Sequence, residues 1–216
     1  MKLSKRNGFS LSEILIALGI VGIVASMMLP TLMSNYNKKV YVSQLQKVYN
    51  TLDNALQQLQ VEEDGMDLGL TSLNPNKDAD GIKKLFRDRL KTVNTCTAGN
   101  LANCIGTGYK GMKGDAKAFP TDADCAILKS GQTLCIKAQA PDSEGKMLDV
   151  YIDVNGPKRP NIYGRDTFIL KVNKTGNIAE YFDVASSSYS PSQCTDSTYG
   201  DGCFTRIMSK SWEMDY

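Results

Sequence analysis

The feature that most constrains this chain is an uncharged apolar run close to its start. The 20 residues Ile14–Met33 read ILIALGIVGIVASMMLPTLM and include no Asp, Glu, Lys or Arg. A helix of about 20 apolar residues is long enough to cross the roughly 30 Å hydrocarbon core of a bilayer. The short segment before it carries Lys2, Lys5 and Arg6. Because basic flanks stay on the cytoplasmic side, we expect a single-pass membrane anchor with residues 1–8 in the cytoplasm.

One carboxylate, Glu13, stands immediately before this run. A secretory signal peptide or a plain anchor helix also begins with basic residues followed by apolar ones. Neither alternative gives Glu13 a role, and a carboxylate at the membrane is costly unless it is paired. Cleavage between Gly8 and Phe9 would create an α-amino group four residues before Glu13. In an assembly, that amine could come from a neighbouring chain.

The stretch GFSLSEIL, residues 8–15, resembles the prepilin signature, in which a basic leader ends in Gly and the fifth residue after the cut is Glu. The resemblance is to type IV pilins and type II secretion pseudopilins. It implies cleavage after Gly8 by a prepilin peptidase, N-methylation of Phe9 and neutralisation of a neighbour's N-terminus by Glu13. It also implies related pilin-like subunits and an inner-membrane assembly platform as partners.

The resemblance extends further along the helix. Gly22 and Pro30 match the family's helix-weakening glycine and kinking proline, and Pro30 removes one intrahelical hydrogen bond. Ser10 and Ser12 depart from the usual family residues, which are Thr and a bulky apolar residue. Neither departure changes the charge argument for Glu13.

Apolar residues continue beyond Pro30 at alternating steps of four and three, namely Tyr41, Leu45, Val48, Leu52, Ala55 and Leu59. This period predicts one amphipathic helix over about 9–62, with about 9–33 in the membrane or filament core. A coiled-coil seam is the alternative, but the stripe lasts only about three heptads. We therefore expect the second half to pack on a sheet, and Gly65 to follow the helix end.

The rest of the chain, residues 63–216, is predicted to form one globular α+β domain. A short second helix follows Asp80 as N-cap, because Ile82, Leu85, Phe86 and Leu90 recur at helical spacing. Four later stretches are rich in β-branched and aromatic residues, TLCIKA, MLDVYIDV, TFILKV and NIAEYF. They predict an antiparallel sheet of three to five strands, with a hairpin turn at 173–176. Residues 94–131 show little period and are expected to be irregular.

The six cysteines lie beyond the apolar run and fall into three close pairs, Cys96 and Cys104, Cys125 and Cys135, and Cys194 and Cys203. An even number in this position favours disulfides between these neighbours in an oxidising compartment. A zinc site would need tighter pairs such as C-x-x-C. The spacing alone leaves the connectivity open, and a Ser-rich linker precedes the last pair.

Composition restricts the chemistry that the chain can perform. The sequence has no histidine, which removes the usual general base and the commonest metal-binding side chain. After loss of the leader, 22 Lys and Arg would face 23 Asp and Glu. Bulk charge therefore predicts no nucleic-acid partner, and the basic cluster Lys83, Lys84, Arg87, Arg89 and Lys91 is interpreted as a solvated face. We therefore expect that this protein is not an enzyme.

Residues 153–166 separate two predicted strands and are dense in turn formers and side-chain oxygens. Asp153, Asn155 and Asp166 could offer ligands to calcium, although the EF-hand order is not met. Asx turns with Gly and Pro explain the same residues without an ion, and this structural interpretation is preferred. No other cofactor is expected.

The leading functional hypothesis is a structural subunit of a type IV pilus-like or type II secretion pseudopilus filament. The alternative is a minor or tip subunit whose loops bind DNA, a surface or a secreted protein. Both place the mature protein in the periplasm or at the cell surface. The sequence does not distinguish a pilus from a pseudopilus.

Overall fold

The computed structural model describes residues 10–63, 65–143, 145–180, 193–197 and 199–216. The chain divides into two compact units, residues 1–39 and 40–216. The predicted α+β class is confirmed: one long helix is followed by an antiparallel sheet and three disulfides.

The long helix α1 spans Leu11–Glu62 and includes Pro30 in its interior. It thus covers nearly all of the predicted range. After its end, the Gly65 N–H donates a hydrogen bond to the Gln60 carbonyl over 2.9 Å. Within the second unit, one stripe of α1 is buried at helical spacing, namely Val42, Leu45, Val48, Leu52, Ala55, Leu56 and Leu59. Tyr41, expected in this stripe, is only partly buried.

Three short α-helices and one 3₁₀ turn complete the helical structure of the described residues. The 3₁₀ turn covers Leu68–Leu70, and the helices are α2 (Gly81–Asp88), α3 (Gln193–Asp196) and α4 (Cys203–Ser209). Helix α2 confirms the predicted second helix. Asp80 occupies its N-cap position but makes no side-chain capping bond, because its carboxylate pairs with Lys83 at 2.7 Å instead.

The sheet has six antiparallel strands in sequence order, not three to five. They are β1 (Thr92–Cys96), β2 (Asp124–Leu128), β3 (Thr133–Ala138), β4 (Lys146–Asp153), β5 (Thr167–Asn173) and β6 (Ile178–Glu180). The expectation of irregular structure over 94–131 was wrong for β1 and β2. β1 is a polar edge strand whose exposed side chains follow no core pattern, so its sequence carries little strand signal.

The β5–β6 hairpin is confirmed around the predicted turn at 173–176. The Asn173 Oδ1 atom accepts hydrogen bonds from the N–H groups of Thr175 and Asn177, and Gly176 has φ +86°, which favours glycine. Residues 181–192, which hold the end of the last predicted strand and most of the Ser-rich linker, lie outside the described residues.

The two faces of the sheet are covered differently. On one face, residues such as Leu134, Val150 and Leu170 pack with the buried stripe of α1. On the other, the connection from β1 to β2, residues 97–123, lies over Cys135 and Tyr151. We call this connection the cover segment. It contributes Leu101, Cys104, Tyr109 and Phe119 to a second, smaller core.

Candidate functional site

The N-terminus of α1 is closed by a reciprocal hydrogen-bond pair. The Ser10 N–H and hydroxyl donate to Glu13 Oε2 at 2.8 and 3.0 Å, and the Glu13 N–H donates to Ser10 Oγ at 3.2 Å. This is a capping box, which satisfies two backbone donors that a helix start leaves unpaired. The S-x-x-E order was readable in the sequence, but the sequence argument missed it. Glu13 therefore has a local structural role in addition to any role in assembly.

The first half of α1 is apolar and exposed. Large side chains from Leu11 to Met33 are exposed in the single chain, and α1 is long and apolar enough to cross a membrane. A Cβ added at Gly22 would meet nothing within 4 Å. A contiguous exposed apolar surface of this kind marks contact with a membrane or with other proteins. Gly8 and Phe9, the expected cleavage residues, lie outside the described residues.

Four members of the basic cluster on and near α2 are ion-paired. Lys83 pairs with Asp80, Lys84 with Asp78, Arg87 with Asp88, and Arg89 with Glu62, at 2.5 to 2.7 Å. Arg89 forms a two-point contact with the Glu62 carboxylate. Each of these four basic side chains lies beside a carboxylate, so little net positive charge remains to attract a polyanion. This agrees with the interpretation of the cluster as a solvated face.

The three cysteine pairs form disulfides, which confirms the expectation of disulfide bonds. The structure joins Cys96 to Cys104, Cys125 to Cys135, and Cys194 to Cys203. The first ties the cover segment to β1, the second links paired positions on β2 and β3, and the third connects α3 with α4. No cysteine is free.

The connection between β4 and β5 is organised around Asp166, which is fully buried. Its carboxylate accepts hydrogen bonds from the Asn161 N–H at 2.8 Å, the Asn155 Nδ2–H at 3.1 Å and the Ile162 N–H. These donors fix both ends of the connection. Asp153, Asn155 and Asp166, the calcium candidates, are thus brought to one place.

Asp153 lies at the end of β4, is fully buried, and is linked to the cover segment. Its Oδ2 atom accepts a hydrogen bond from the Tyr109 hydroxyl at 2.8 Å, and that hydroxyl accepts one from the Gly106 N–H at 3.2 Å. Gly106 itself lies against the connection, since a Cβ there would be 2.3 Å from Asn161 Nδ2. The Asn161 Nδ2–H donates to the Thr107 carbonyl at 3.0 Å. The cover segment and the connection are therefore held together by polar contacts.

Four side-chain oxygens at this place are buried and make no hydrogen bond. They are Oδ1 of Asp153, Asn155 and Asn161, and Oγ1 of Thr167. Thr167 pairs with Asp153 across β4 and β5. We call Asp153, Asn155, Asn161, Asp166 and Thr167 the polar cluster. Buried polar atoms are normally satisfied, so each of these four oxygens is an exception.

Burial dominates the electrostatics of the polar cluster. Burial is the main cause that raises the pKa of Asp153 to about 8; the nearby Asp166 carboxylate acts in the same direction, while the Tyr109 hydroxyl and the backbone N–H groups of Asn155 and Gly156 oppose the rise. Those two N–H groups lie near the Asp153 carboxylate, but neither makes a hydrogen bond of normal geometry to its Oδ1 atom. Burial also raises the pKa of Asp166, against the donors from Ile162 and Asn161.

Sequence reasoning missed three residues of this region, Tyr109, Asn161 and Thr167. Asn161 has φ +55°, a left-handed conformation that Asn tolerates better than most residues, and its place after a Pro in a turn-rich stretch was a weak signal. Thr167 faces Asp153 only because of strand register. Tyr109 comes from a Gly-rich stretch far away in sequence, and no sequence pattern there indicated that it contacts Asp153.

Comparison with protein families gives one match. Residues 3–29 match the family described as the prokaryotic N-terminal methylation motif. Comparisons with curated proteins and with solved structures give no match. The matched residues contain the GFSLSEIL stretch and most of the apolar run, and they fit a membrane-anchored precursor. This chain carries the type IV pilin and pseudopilin signature at the start of its long apolar helix, ahead of a disulfide-bonded antiparallel sheet of pilin-like architecture.

Proposed function

We propose that this protein is a structural subunit of a type IV pilus-like or type II pseudopilus filament, made as a precursor and cut between Gly8 and Phe9. The observation that carries the proposal is the methylation motif at residues 3–29, followed by an exposed apolar half-helix. Such a surface is buried in lipid before assembly and against other helices afterwards. Residues 1–8 would lie on the cytoplasmic side of the membrane, and the sheet domain would lie on the opposite side.

In the filament, the Glu13 carboxylate would neutralise the α-amino group of a neighbouring Phe9, which carries a methyl group. Glu13 is exposed at the first turn of α1, and its bonds to Ser10 leave it at the helix surface. A carboxylate that enters an apolar environment is stabilised by an opposite charge. The partners that follow are a prepilin peptidase, the assembly platform and further pilin-like subunits.

The capping box allows the charge of Glu13 to be separated from its capping role. Glu13→Gln removes the charge, but a glutamine at this position still accepts a bond from the N-cap residue. Ser10→Ala removes the cap and keeps the charge. We expect Glu13→Gln to be cleaved and methylated normally and to be absent from sheared filaments, whereas Ser10→Ala assembles.

Both variants are measured by quantifying the subunit in sheared filaments and by mass spectrometry of the mature N-terminus. The mass spectra separate failed processing from failed assembly. Normal filaments from Glu13→Gln would rule out charge neutralisation. A filament defect in Ser10→Ala alone would instead assign Glu13 a capping role.

The position of the subunit in the filament tests the alternative of a tip protein. Antibodies against the sheet domain, applied to filaments for electron microscopy, should label along the whole length if this is the main subunit. Label confined to filament ends would identify a minor, tip-located subunit and contradict the main proposal.

A further inference from the structure

A groove of about 570 Å³ lies between the second half of α1 and the turn that joins β2 to β3. This volume falls within the roughly 300–1,000 Å³ of small-molecule sites. Three parts of the domain line the groove, namely α1, the link from α2 to β1, and the turn after β2. Each part contributes one exposed lysine, and these are Lys47, Lys91 and Lys129. We call this surface the lysine groove.

The three lysines of the lysine groove carry charge that the lining does not offset. Among the ion pairs between described residues, none includes Lys47, Lys91 or Lys129. The described residues that line the groove include no Asp or Glu. Lys91 is held next to Lys129, because the Lys129 N–H donates to the Lys91 carbonyl over 2.8 Å. An anion that enters the groove is therefore attracted by all three charges.

Arg89 also lines the lysine groove, but its charge is already neutralised. Its two terminal nitrogens donate to the two Glu62 oxygens at 2.6 Å each. The Arg89 side chain is only 16% exposed, so it forms a fixed wall of the groove. A second groove, along β1, differs in its charges, because Lys83 and Arg87 there are ion-paired and Asp124 adds a negative charge. Unpaired positive charge is thus concentrated in the lysine groove.

The α1 side of the lysine groove is a polar stripe. Four residues follow one another there at steps of four, three and four, namely Lys47, Thr51, Asn54 and Gln58. This spacing places them on one face of the helix. Within the described part of the chain, the exposed side chains of Asn54 and Gln58 make no hydrogen bond. The Thr51 hydroxyl donates to the Lys47 carbonyl at 2.7 Å and can still accept. Such amides and hydroxyls suit the hydroxyl groups of a ligand.

We propose that the lysine groove binds an acidic oligosaccharide, that is, a short run of sugar units that carry carboxylate or phosphate groups. The three lysines bind the acid groups, and Thr51, Asn54 and Gln58 bind the sugar hydroxyls. Lysine is a compact point charge that binds carboxylate and phosphate oxygens alike, so negative charge on a sugar defines the ligand. This inference goes beyond the filament proposal and is independent of it, because it concerns a surface of the sheet domain alone.

The lining of the lysine groove favours a sugar over a protein segment. Among the described lining residues, the apolar ones are Ala55 and Leu128, and they are only 3% and 5% exposed. An acidic protein segment would thus find no apolar pocket for an anchoring side chain. Such pockets supply much of the binding energy between proteins.

The same lining disfavours a nucleic acid. The described residues of the groove include no aromatic side chain on which bases of a single strand would stack. Duplex DNA needs a longer basic track with many phosphate contacts. The basic residues of α2 do not extend the track, because Lys83, Lys84 and Arg87 are ion-paired. A short, polar and acidic ligand therefore fits the groove best.

The test uses the full-length protein in an uncharged detergent and titration calorimetry at low salt. Two acidic sugars are compared, trigalacturonate with carboxylates and a phosphorylated maltotriose, and unmodified maltotriose is the neutral control. An oligothymidine and a hexaglutamate peptide stand for the two other classes of ligand. We expect one or both acidic sugars to bind and maltotriose to give no heat. Binding should weaken as salt is raised, because the lysines are exposed.

Substitution of the lysines should remove the affinity for the acidic sugar. Lys47→Gln, Lys91→Gln and Lys129→Gln should each weaken binding by roughly 2- to 5-fold, which is the range of exposed ion pairs. The triple variant should lose roughly 10-fold or more, since the effects of separate sites add. All three side chains are exposed, so the domain should stay folded.

Lys110→Gln is the matched control. Lys110 is exposed, makes no ion pair among the described residues and lies in the cover segment, away from the lysine groove. The variant loses the same charge as each groove variant. It should bind the acidic sugar like the unmodified protein.

Four outcomes would overturn the proposal. Absence of binding by both acidic sugars would show that the groove does not take this class of ligand. Tighter binding of oligothymidine or hexaglutamate than of both sugars would assign the groove to a nucleic acid or to an acidic protein segment. Unchanged binding by the triple variant would place the ligand elsewhere. Equal loss of affinity in Lys110→Gln and in the groove variants would show that the overall charge of the domain attracts the ligand.

Discussion

The two faces of the sheet are covered through different kinds of contact, although the same strands form both faces. On the α1 face, the contacts are almost entirely aliphatic and aromatic, and the buried stripe of α1 fits against alternate strand residues. On the opposite face, the cover segment is irregular and is held by the disulfide between Cys96 and Cys104, by packed aromatic rings and by the hydrogen bond from Tyr109 to Asp153. Ring centroids of Tyr109 lie 4.8 Å from Phe119 and 5.9 Å from Tyr163.

The contrast shows two ways of covering a sheet. A regular helix presents apolar residues at a fixed period, so burial of hydrocarbon is sufficient to hold it. An irregular segment has no such period and leaves many backbone groups to be satisfied one by one. Covalent bonds and specific polar contacts then replace periodic packing. Three substitution experiments can test whether the faces differ in this way.

The largest effect is expected on the α1 face. Leu52 is fully buried, and Leu52→Ala should lower the free energy of unfolding by about 2–5 kcal/mol, through lost burial and the cavity that remains. Urea unfolding followed by circular dichroism measures it. The matched variant Leu18→Ala, where the side chain is 64% exposed, should change the stability of the domain by less than about 0.5 kcal/mol. Equal effects of the two would refute the assignment of the buried stripe.

Removal of the disulfide between Cys96 and Cys104 should have the next largest effect. The bond closes a loop with a sequence separation of 8, so replacing both cysteines with Ala should cost about 2–3 kcal/mol in the loop-entropy account. Hydrogen exchange should rise in the cover segment while the buried stripe of α1 stays protected. Uniform loss of protection on both faces would show that the two coverings are not separable.

A smaller effect is expected from Tyr109→Phe, which removes one hydroxyl and keeps the ring. The change leaves Asp153 Oδ2 and the Gly106 N–H without their partner, which should cost about 1–3 kcal/mol. Tyr163→Phe is a suitable comparison, because the Tyr163 hydroxyl donates to a single backbone carbonyl, that of Ala118, at 3.2 Å. If Tyr163→Phe destabilised the domain more than Tyr109→Phe, the polar contact to Asp153 would not be a principal support of this face.

The α1 face was largely predictable and the opposite face was not. Leu45, Leu52 and Leu59 recur at helical spacing, and strands such as β5 alternate in a way that the sequence shows directly. By contrast, β1 is polar and exposed, and its pairing with β2 depends on a partner that follows after the whole cover segment. Long-range pairing of this kind leaves no local period.

The candidate sites divide in a similar way. Glu13 stood out because an acidic residue next to an apolar run is unusual. The S-x-x-E order of Ser10 and Glu13 is also the sequence pattern of a capping box. Asp153, Asn155 and Asp166 were identifiable as oxygen-rich turn residues. Their relation to Tyr109 and Thr167 depends on strand register and on the path of the cover segment, which only the tertiary structure supplies.

The strand order of the sheet follows the order of the sequence, and this has a consequence for how the domain forms. Each strand pairs with the one synthesised immediately before it, from β1 through β6. Among the strands that the structure describes, none has to be inserted between two that are already paired. Folding can therefore proceed by successive addition of one edge strand, with short loops to close at most steps. The longest of these connections is the cover segment between β1 and β2, and the disulfide between Cys96 and Cys104 shortens the path across it.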